Sequence, residues 1–410
     1  MSDSAPKALP NASFHLARSI YMRMLGVIHL LAFSSLWIQA PGLIGTNGIQ
    51  PVTTDTTLHL LCGSGLLVAL LLMARILPRA CAILLWMLYF RLSTIATPFL
   101  DFQWDTLLLE TTFISIFWLP WRKSGGDLAA AESRSYRWAL WFLLFKLMFL
   151  SGATKLLSGD PNWRDLVALN YHYQTQPLPN WISWHAHHLP SWCHTACSIV
   201  TLLIELLVPF WIFAGRRLRH IASLLTISLM LLIQATGNYG FFNLLTAALC
   251  LPLLDDRFLN YLLRRTHRVS SVAATASPAW QRFGNGLVLA GLLGISSLVL
   301  IEELVRTGRM AQSNPSARAN PAWITTSLNF CGTHLLDPLR SRLLIPMRSW
   351  RTINGYGLFR VMTTRREEIV IEGSVNGRDW FAYEFNWKPG ALERSPRILG
   401  PHLPRLDWLM

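Results

Sequence analysis

The stretch WALWFLLFKLMFLSGATKLL, from Trp138 to Leu157, decides the fold. Its only charges are Lys146 and Lys155, and about 20 predominantly apolar residues are what a helix needs to cross a bilayer core. Leu58 to Leu77, Ala196 to Phe213 and Gly284 to Leu304 repeat the pattern. Across the 410 residues 52% are hydrophobic and 14% charged, a balance rare in a soluble globular protein of this size. The chain reads as an all-α polytopic membrane bundle, with the lipid bilayer as its first partner.

Hydropathy places about nine spans, at 20–38, 57–75, 80–97, 104–119, 138–157, 196–214, 220–235, 240–254 and 284–304. The fourth and eighth are short for a full crossing. The first fifteen residues are polar and the first apolar run lacks a small-residue cleavage site, so the first helix is expected to remain as an anchor.

Charge placement is an independent test, because short cytoplasmic loops collect Lys and Arg. With the N-terminus in the cytoplasm, sixteen basic residues, from Lys7 and Arg18 through Arg122, Lys123 and Arg216 to Arg265, Arg268 and Arg282, lie inside. The alternate loops hold Arg164 and, at a helix end, Lys155. The net charge of +14 therefore follows topology, and its short runs between apolar blocks are not the interleaved basic and aromatic surface of a nucleic-acid binder; no nucleic acid is expected. Nine spans divide the chain into a membrane domain, 1–305, and an extracytoplasmic domain, 306–410, periplasmic or lumenal. In the latter, Glu368 to Val375 alternates, Asn376-Gly377 is a turn dipeptide, and Arg378 to Trp387 alternates again. With Tyr356 to Thr363 as a third strand, this predicts a C-terminal β-rich soluble domain.

An ionised side chain at the bilayer centre costs at least ~2.5 kcal/mol on insertion scales. Arg23, Arg91, Asp105, Glu110, Lys146 and Glu205 are therefore expected to face the bundle interior, pairing with one another or lining a site. Asp105 and Glu110 are about 140° apart around a helix axis, so they need not share a partner.

The densest polar stretch runs from Ser151 to Arg164, followed by Tyr171 to Pro179. Lys155 lies about one turn from the outer membrane face. It reads either as a desolvated base or Schiff-base nucleophile, with Asp160 and His172 as orienting groups, or as an interfacial cation with a buried stem. Trp163, Arg164, Tyr171, Tyr173, Gln174 and Gln176 supply binding groups. Asn238 and Asn243 do the same, or else satisfy backbone groups freed at the turn they flank. His172, His185, His187, His188 and His194 fall on the same side. Their spacing matches no helical zinc pair, so no metal is expected, and Trp181, Trp184 and Trp192 read as an interfacial belt. The six cysteines read mostly as small buried hydrophobes without a disulfide framework. The sequence contains no nucleophile elbow, phosphate loop or paired-cysteine zinc site, and no cofactor is identified.

Arg23-Met24-Leu25-Gly26, Gly42-Leu43-Ile44-Gly45, Gln103 to Glu110, Asn170 to Pro179 and Gly237-Asn238-Tyr239 together resemble the lipase maturation factor family. The likeness extends to Tyr356-Gly357-Leu358-Phe359, Trp387-Lys388-Pro389-Gly390 and Pro404-Arg405-Leu406-Asp407-Trp408. It implies a membrane factor, non-enzymatic rather than enzymatic, that helps a secreted client such as a lipase reach its active fold in the endoplasmic reticulum of animals. Family members continue past the Arg-Leu-Asp-Trp segment, so the last part of the soluble domain is expected to be absent. Ser151 to Leu156, through Trp163, is similar to a Gly-x-x-Lys-Leu segment of vitamin K-dependent γ-carboxylase and related horizontally transferred transmembrane proteins, whose lysine serves as a base. Lys155 falls on that lysine, and a membrane-embedded enzyme using it is the alternative reading. Transport is a third class, disfavoured because no paired broken helices stand in corresponding halves. The plain N-terminus and the lack of a retention tail favour a bacterial inner membrane slightly over an endoplasmic reticulum.

Overall fold

A computed structural model describes residues 13–121, 134–264, 279–390, 394–400 and 402–410. Lys7, Arg122, Lys123, Arg265 and Arg268 of the charge count lie outside them. The helices are α1 (His15–Ile44), α2 (Asp55–Met73), α3 (Pro78–Ile95), α4 (Gln103–Trp118), α5 (Arg134–Leu157), α6 (Pro161–Arg164), α7 (Ala168–Thr175), α8 (Trp181–His187), α9 (Ser191–Leu206) and α10 (Val208–Trp211). After them come α11 (Arg216–Thr236), α12 (Phe242–Cys250), α13 (Asp256–Leu262), α14 (Ala279–Ser313) and α15 (Ala322–Phe330). Two wide-turn segments and the short α16 (Asp337–Leu339) and α17 (Ile345–Ser349) follow, and α18 (Arg405–Leu409) ends the chain.

Helices stand at all nine expected places, but six among the described residues are long and apolar enough to cross a membrane: His15–Ile44, Asp55–Met73, Tyr136–Leu157, Ser191–Trp211, Arg216–Thr236 and Arg282–Ser313. The nine-span count is not confirmed. The 16 residues of α4 reach only about 24 Å and carry two acids. The α3 helix contains Arg79 and Arg91, and α12 is shorter still. The break between α9 and α10 falls at Leu207, two residues before Pro209, which lacks the N–H an uninterrupted helix would direct to the Glu205 carbonyl. Short connecting helices are fixed by their caps: Asp160 accepts from Asn162 ahead of Pro161 in α6, and Asn180 and Ser183 form a reciprocal capping box on α8.

The main core joins α1–α5 and α9–α12, and it also takes in Tyr356 and Leu403 from the tail. A second cluster packs Val299 and Val305 of α14 against Leu336, Leu344 and Ile353. The expectation of a β-rich tail needs correction. Among the described residues the only sheet is a two-residue antiparallel ladder, Glu372 opposite Ala382 and Gly373 opposite Phe381, and Tyr356 to Thr363 is not a strand. The turn at Asn376-Gly377 is present, with Gly377 at φ +71°. What is missing is a surface to pair against: Val375, Trp380 and Phe381 point into open space, and an uncovered two-stranded ribbon is marginal by itself. Tyr356, Leu403 and Arg405 of the tail are instead buried in the helical bundle.

Candidate functional site

The site is assembled at the end of α5. Lys155 Nζ donates to both carboxylate oxygens of Glu205 on α9, each at 2.7 Å, and sits 5.1 Å from the Trp163 ring centroid. Both partners of the pair are buried. Gly152 allows this approach, since a Cβ there would lie 2.9 Å from Glu205 Cβ. A general base needs a neutral amine with an open path to substrate. Here the Lys155 amino group is enclosed between a carboxylate and an aromatic face, an arrangement in which buried polar partners gain from being paired.

Beside it, His172 Nε2 lies 3.1 Å from Tyr239 Oη, and that hydroxyl donates to Gln176 Oε1 at 2.7 Å. Gln176 Nε2 donates in turn to the Thr236 carbonyl at 2.8 Å. Burial first, and the Lys155 charge second, push the His172 imidazole down to about 4, so it is neutral at physiological pH. Its ring meets Phe359 edge-on at 4.9 Å.

Several expected site residues instead hold the tail in place. Asp160 Oδ2 accepts from Met362 N at 2.8 Å, Ser158 donates to the Arg360 carbonyl at 2.7 Å, and Trp163 Nε1 donates to the Phe359 carbonyl at 2.8 Å. Arg164 donates to Asn320 Oδ1 at 2.7 Å. Asn238 accepts from Leu399 N at 3.0 Å and donates to the carbonyls of Leu178 and Arg397. Asn243 donates to Gln234 at 3.1 Å, while its own buried oxygen has no partner among the described residues. Tyr171 packs with Trp163, Tyr173 lies against His194, and Gln174 is exposed.

The membrane acids point apart, as their spacing on α4 requires. Glu110 pairs with Lys146 at 2.6 Å and accepts from Tyr356 Oη at 2.7 Å and Asn354 N at 2.9 Å. Asp105 takes a two-pronged pair from Arg405, both contacts at 2.8 Å, and a 2.5 Å hydrogen bond from Tyr89. Arg23 and Arg91 take no part, because both are exposed. The cation that completes the set is therefore Arg405, which hydropathy could not select because it stands in the tail. Its one signal was membership of the Pro-Arg-Leu-Asp-Trp motif. Tyr89, Asn354 and Tyr356 were missed for a different reason: none is charged, so a search for ionisable side chains in apolar runs passes over them.

Among the described residues no three His, Cys, Asp or Glu side chains converge as a metal site. His194 is held by Asn170 at 2.7 Å and the Ala186 carbonyl at 2.9 Å, and His188 by the Trp184 carbonyl at 2.7 Å. Cys62, Cys81 and Cys250 are buried, Cys193 and Cys331 partly so, and Cys197 is exposed; all six are free.

Two family models match the chain: the lipase maturation factor transmembrane domain over residues 16–56 and 52–261, and the lipase maturation factor C-terminal domain over residues 352–410. The chain is 33% identical to lipase maturation factor 2 of Homo sapiens, covering 97% of this chain and 72% of that one. It is 30% identical to the Xenopus laevis protein of the same name, covering 96% and 70%, and 29% identical to lipase maturation factor 1 of Homo sapiens, covering 99% and 75%. No solved structure matches it. The α4 carboxylates and the tail segments that satisfy them fall within the two matched regions, and the chain belongs to the lipase maturation factor family, as a membrane protein of that family.

Proposed function

We propose that this protein assists the folding or assembly of translocated clients such as secreted lipases, and that it does so by display and binding without turnover. The observation that carries this reading is the hairpin around Asn376-Gly377. Its flanks are anchored in the bundle, yet Val370, Val375, Trp380, Phe381 and Tyr383 are exposed. A short ribbon with open edges and outward aromatics suits an incompletely folded chain, which offers unpaired strands and apolar side chains. In this reading nine helices cross, the N-terminus is cytoplasmic, and the segments 158–195 and 306–410 share the periplasmic or lumenal side. Residues 1–305 serve as the membrane domain, and Lys155, His172 and Asp160 brace the platform beneath the tail. No cofactor is required.

The test is co-expression of the full chain with a secreted lipase, scoring chain level in the membrane and lipase activity in the medium. Val375→Ser/Trp380→Ser/Phe381→Ser should accumulate normally and lower lipase activity severalfold. Lys155→Ala should lower chain level and activity together, because it strands Glu205. A Lys155→Ala protein at normal level with no activity would instead support a membrane enzyme, and an unchanged triple variant would remove the hairpin from the client surface.

A further inference from the structure

We infer that the protein carries a binding site for the phosphate group of an anionic membrane lipid, formed between the end of α14 and the segment from Cys331 to Ser349. The concavity there has a volume of about 330 Å³ and is lined by Arg306, Arg309, Arg340 and Arg348 with Glu302 and Asp337. Its lining is thus two positive charges in excess. Two of the cations are already engaged: Arg348 pairs with Glu302 at 3.0 Å, and Arg306 with Glu303, just outside the lining, at 2.7 Å. Arg309 and Arg340 make no ion pair or hydrogen bond among the described residues. Two open guanidinium forks facing one hollow match the oxygens of a phosphate diester better than any carboxylate the chain supplies, since Asp337 is the one lining acid without a partner there.

The surroundings indicate that the phosphate comes from a lipid. Arg282–Ser313 is long and apolar enough to cross a membrane, so its last turns, which carry Arg306 and Arg309, end at head-group depth. The stretch from α15 to Trp350, which includes the segment closing the hollow, is rich in apolar side chains. Leu328, Leu336 and Leu344 pack against Val299 and Val305 of α14. Trp323, Phe330, Ile345 and Trp350 of the same stretch are each more than half exposed. In water such a row would be costly, whereas at the edge of a bilayer it rests among acyl chains with tryptophan at the interface and arginine toward the phosphates. Gly332 sets the position of one fork, because a Cβ there would lie 2.3 Å from an Arg309 guanidinium nitrogen.

The experiment uses the full chain purified in a neutral detergent. It is titrated with phosphatidylglycerol, with phosphatidylcholine and with inorganic phosphate, and bound molecules are counted by native mass spectrometry. The wild type should retain phosphatidylglycerol in preference to phosphatidylcholine. Arg309→Gln and Arg340→Gln should each weaken that retention roughly fivefold, and the pair about 25-fold, at an unchanged melting temperature. Gly332→Ala, which displaces Arg309 without removing charge, should weaken it by about the effect of one arginine. Equal retention of the two lipids by the wild type, or retention unaffected by the double substitution, overturns the site. Binding of inorganic phosphate without lipid preference overturns the lipid assignment and leaves a soluble phosphate as the ligand.

Discussion

The two ends of the tail and its middle differ in how they are held. Residues 352–362, 397–400 and 402–409 enter the bundle and bury Ile353, Tyr356, Met362, Leu403 and Arg405, whereas residues 369–383 expose almost every large apolar side chain they have. The anchored ends are fixed by polar contacts to α4 and to two turns: Tyr356 and Asn354 on Glu110, Arg405 on Asp105, Met362 N on Asp160 at the start of α6, and Leu399 N on Asn238 between α11 and α12. Among the described residues the middle makes no such contact to the bundle, and the nearest tie before it is Arg366, which donates to the Gln176 and Pro177 carbonyls in the loop after α7. The tail is thus clamped at both ends by the α4 carboxylates and the turns beside them, leaving the hairpin between the clamps free to meet something else.

The strongest way to break this comparison is Arg405→Met. It leaves buried Asp105 without its cation, and should cost about 3–5 kcal/mol, read as lost thermal stability and low membrane levels. Adding Asp105→Leu should recover most of the loss, because a buried pair can be exchanged for apolar side chains at little net cost. If Arg405→Met melts like the wild type, the C-terminal clamp is not ionic.

Asn238→Ala comes next. It strands Leu399 N and removes the donor to the Leu178 and Arg397 carbonyls, with an expected loss of about 1–3 kcal/mol in detergent unfolding.

Acid provides a milder probe of the first clamp through His172 at Phe359. The folded state protonates this imidazole only at about 4, and the unfolded chain near 6.5, so its contribution is fully present above pH 6.5 and falls as pH drops from about 6.5 toward 4. His172→Gln should flatten the unfolding midpoint across that window, and an unchanged slope would show that other groups set the acid response. The smallest effect belongs to the middle: Val375→Thr should shift stability by no more than about 0.5 kcal/mol, measured in the same melt, because the side chain is fully exposed.

Much of this was legible in the sequence, though unevenly. Apolar blocks placed helices at nine sites, and the Asn376-Gly377 pair located the hairpin turn. The spacing of Asp105 and Glu110 anticipated separate partners. Strand alternation in Glu368 to Trp387 was a weaker guide, because period two describes a ribbon with a face to bury, and here no second layer covers it. The clustering of Ser151 to Arg164 with Tyr171 to Pro179 located the site. It did not indicate that these polar groups would be occupied by the tail.

By itself the sequence determined the solvent of the protein and its family, because hydrophobicity over about 20 residues is a local property and the motifs are read directly. Only the tertiary structure decided which cation answers which carboxylate. Asp105 and Arg405 are 300 residues apart, and no local period encodes a contact between a short acidic helix and the end of the tail. Hydropathy pointed to Arg23 and Arg91, which are charged side chains in apolar runs. The fold turns both outward and completes the buried set with an arginine from outside the spans, because what a buried carboxylate requires is a well-aimed donor, from whatever part of the chain packing brings to it.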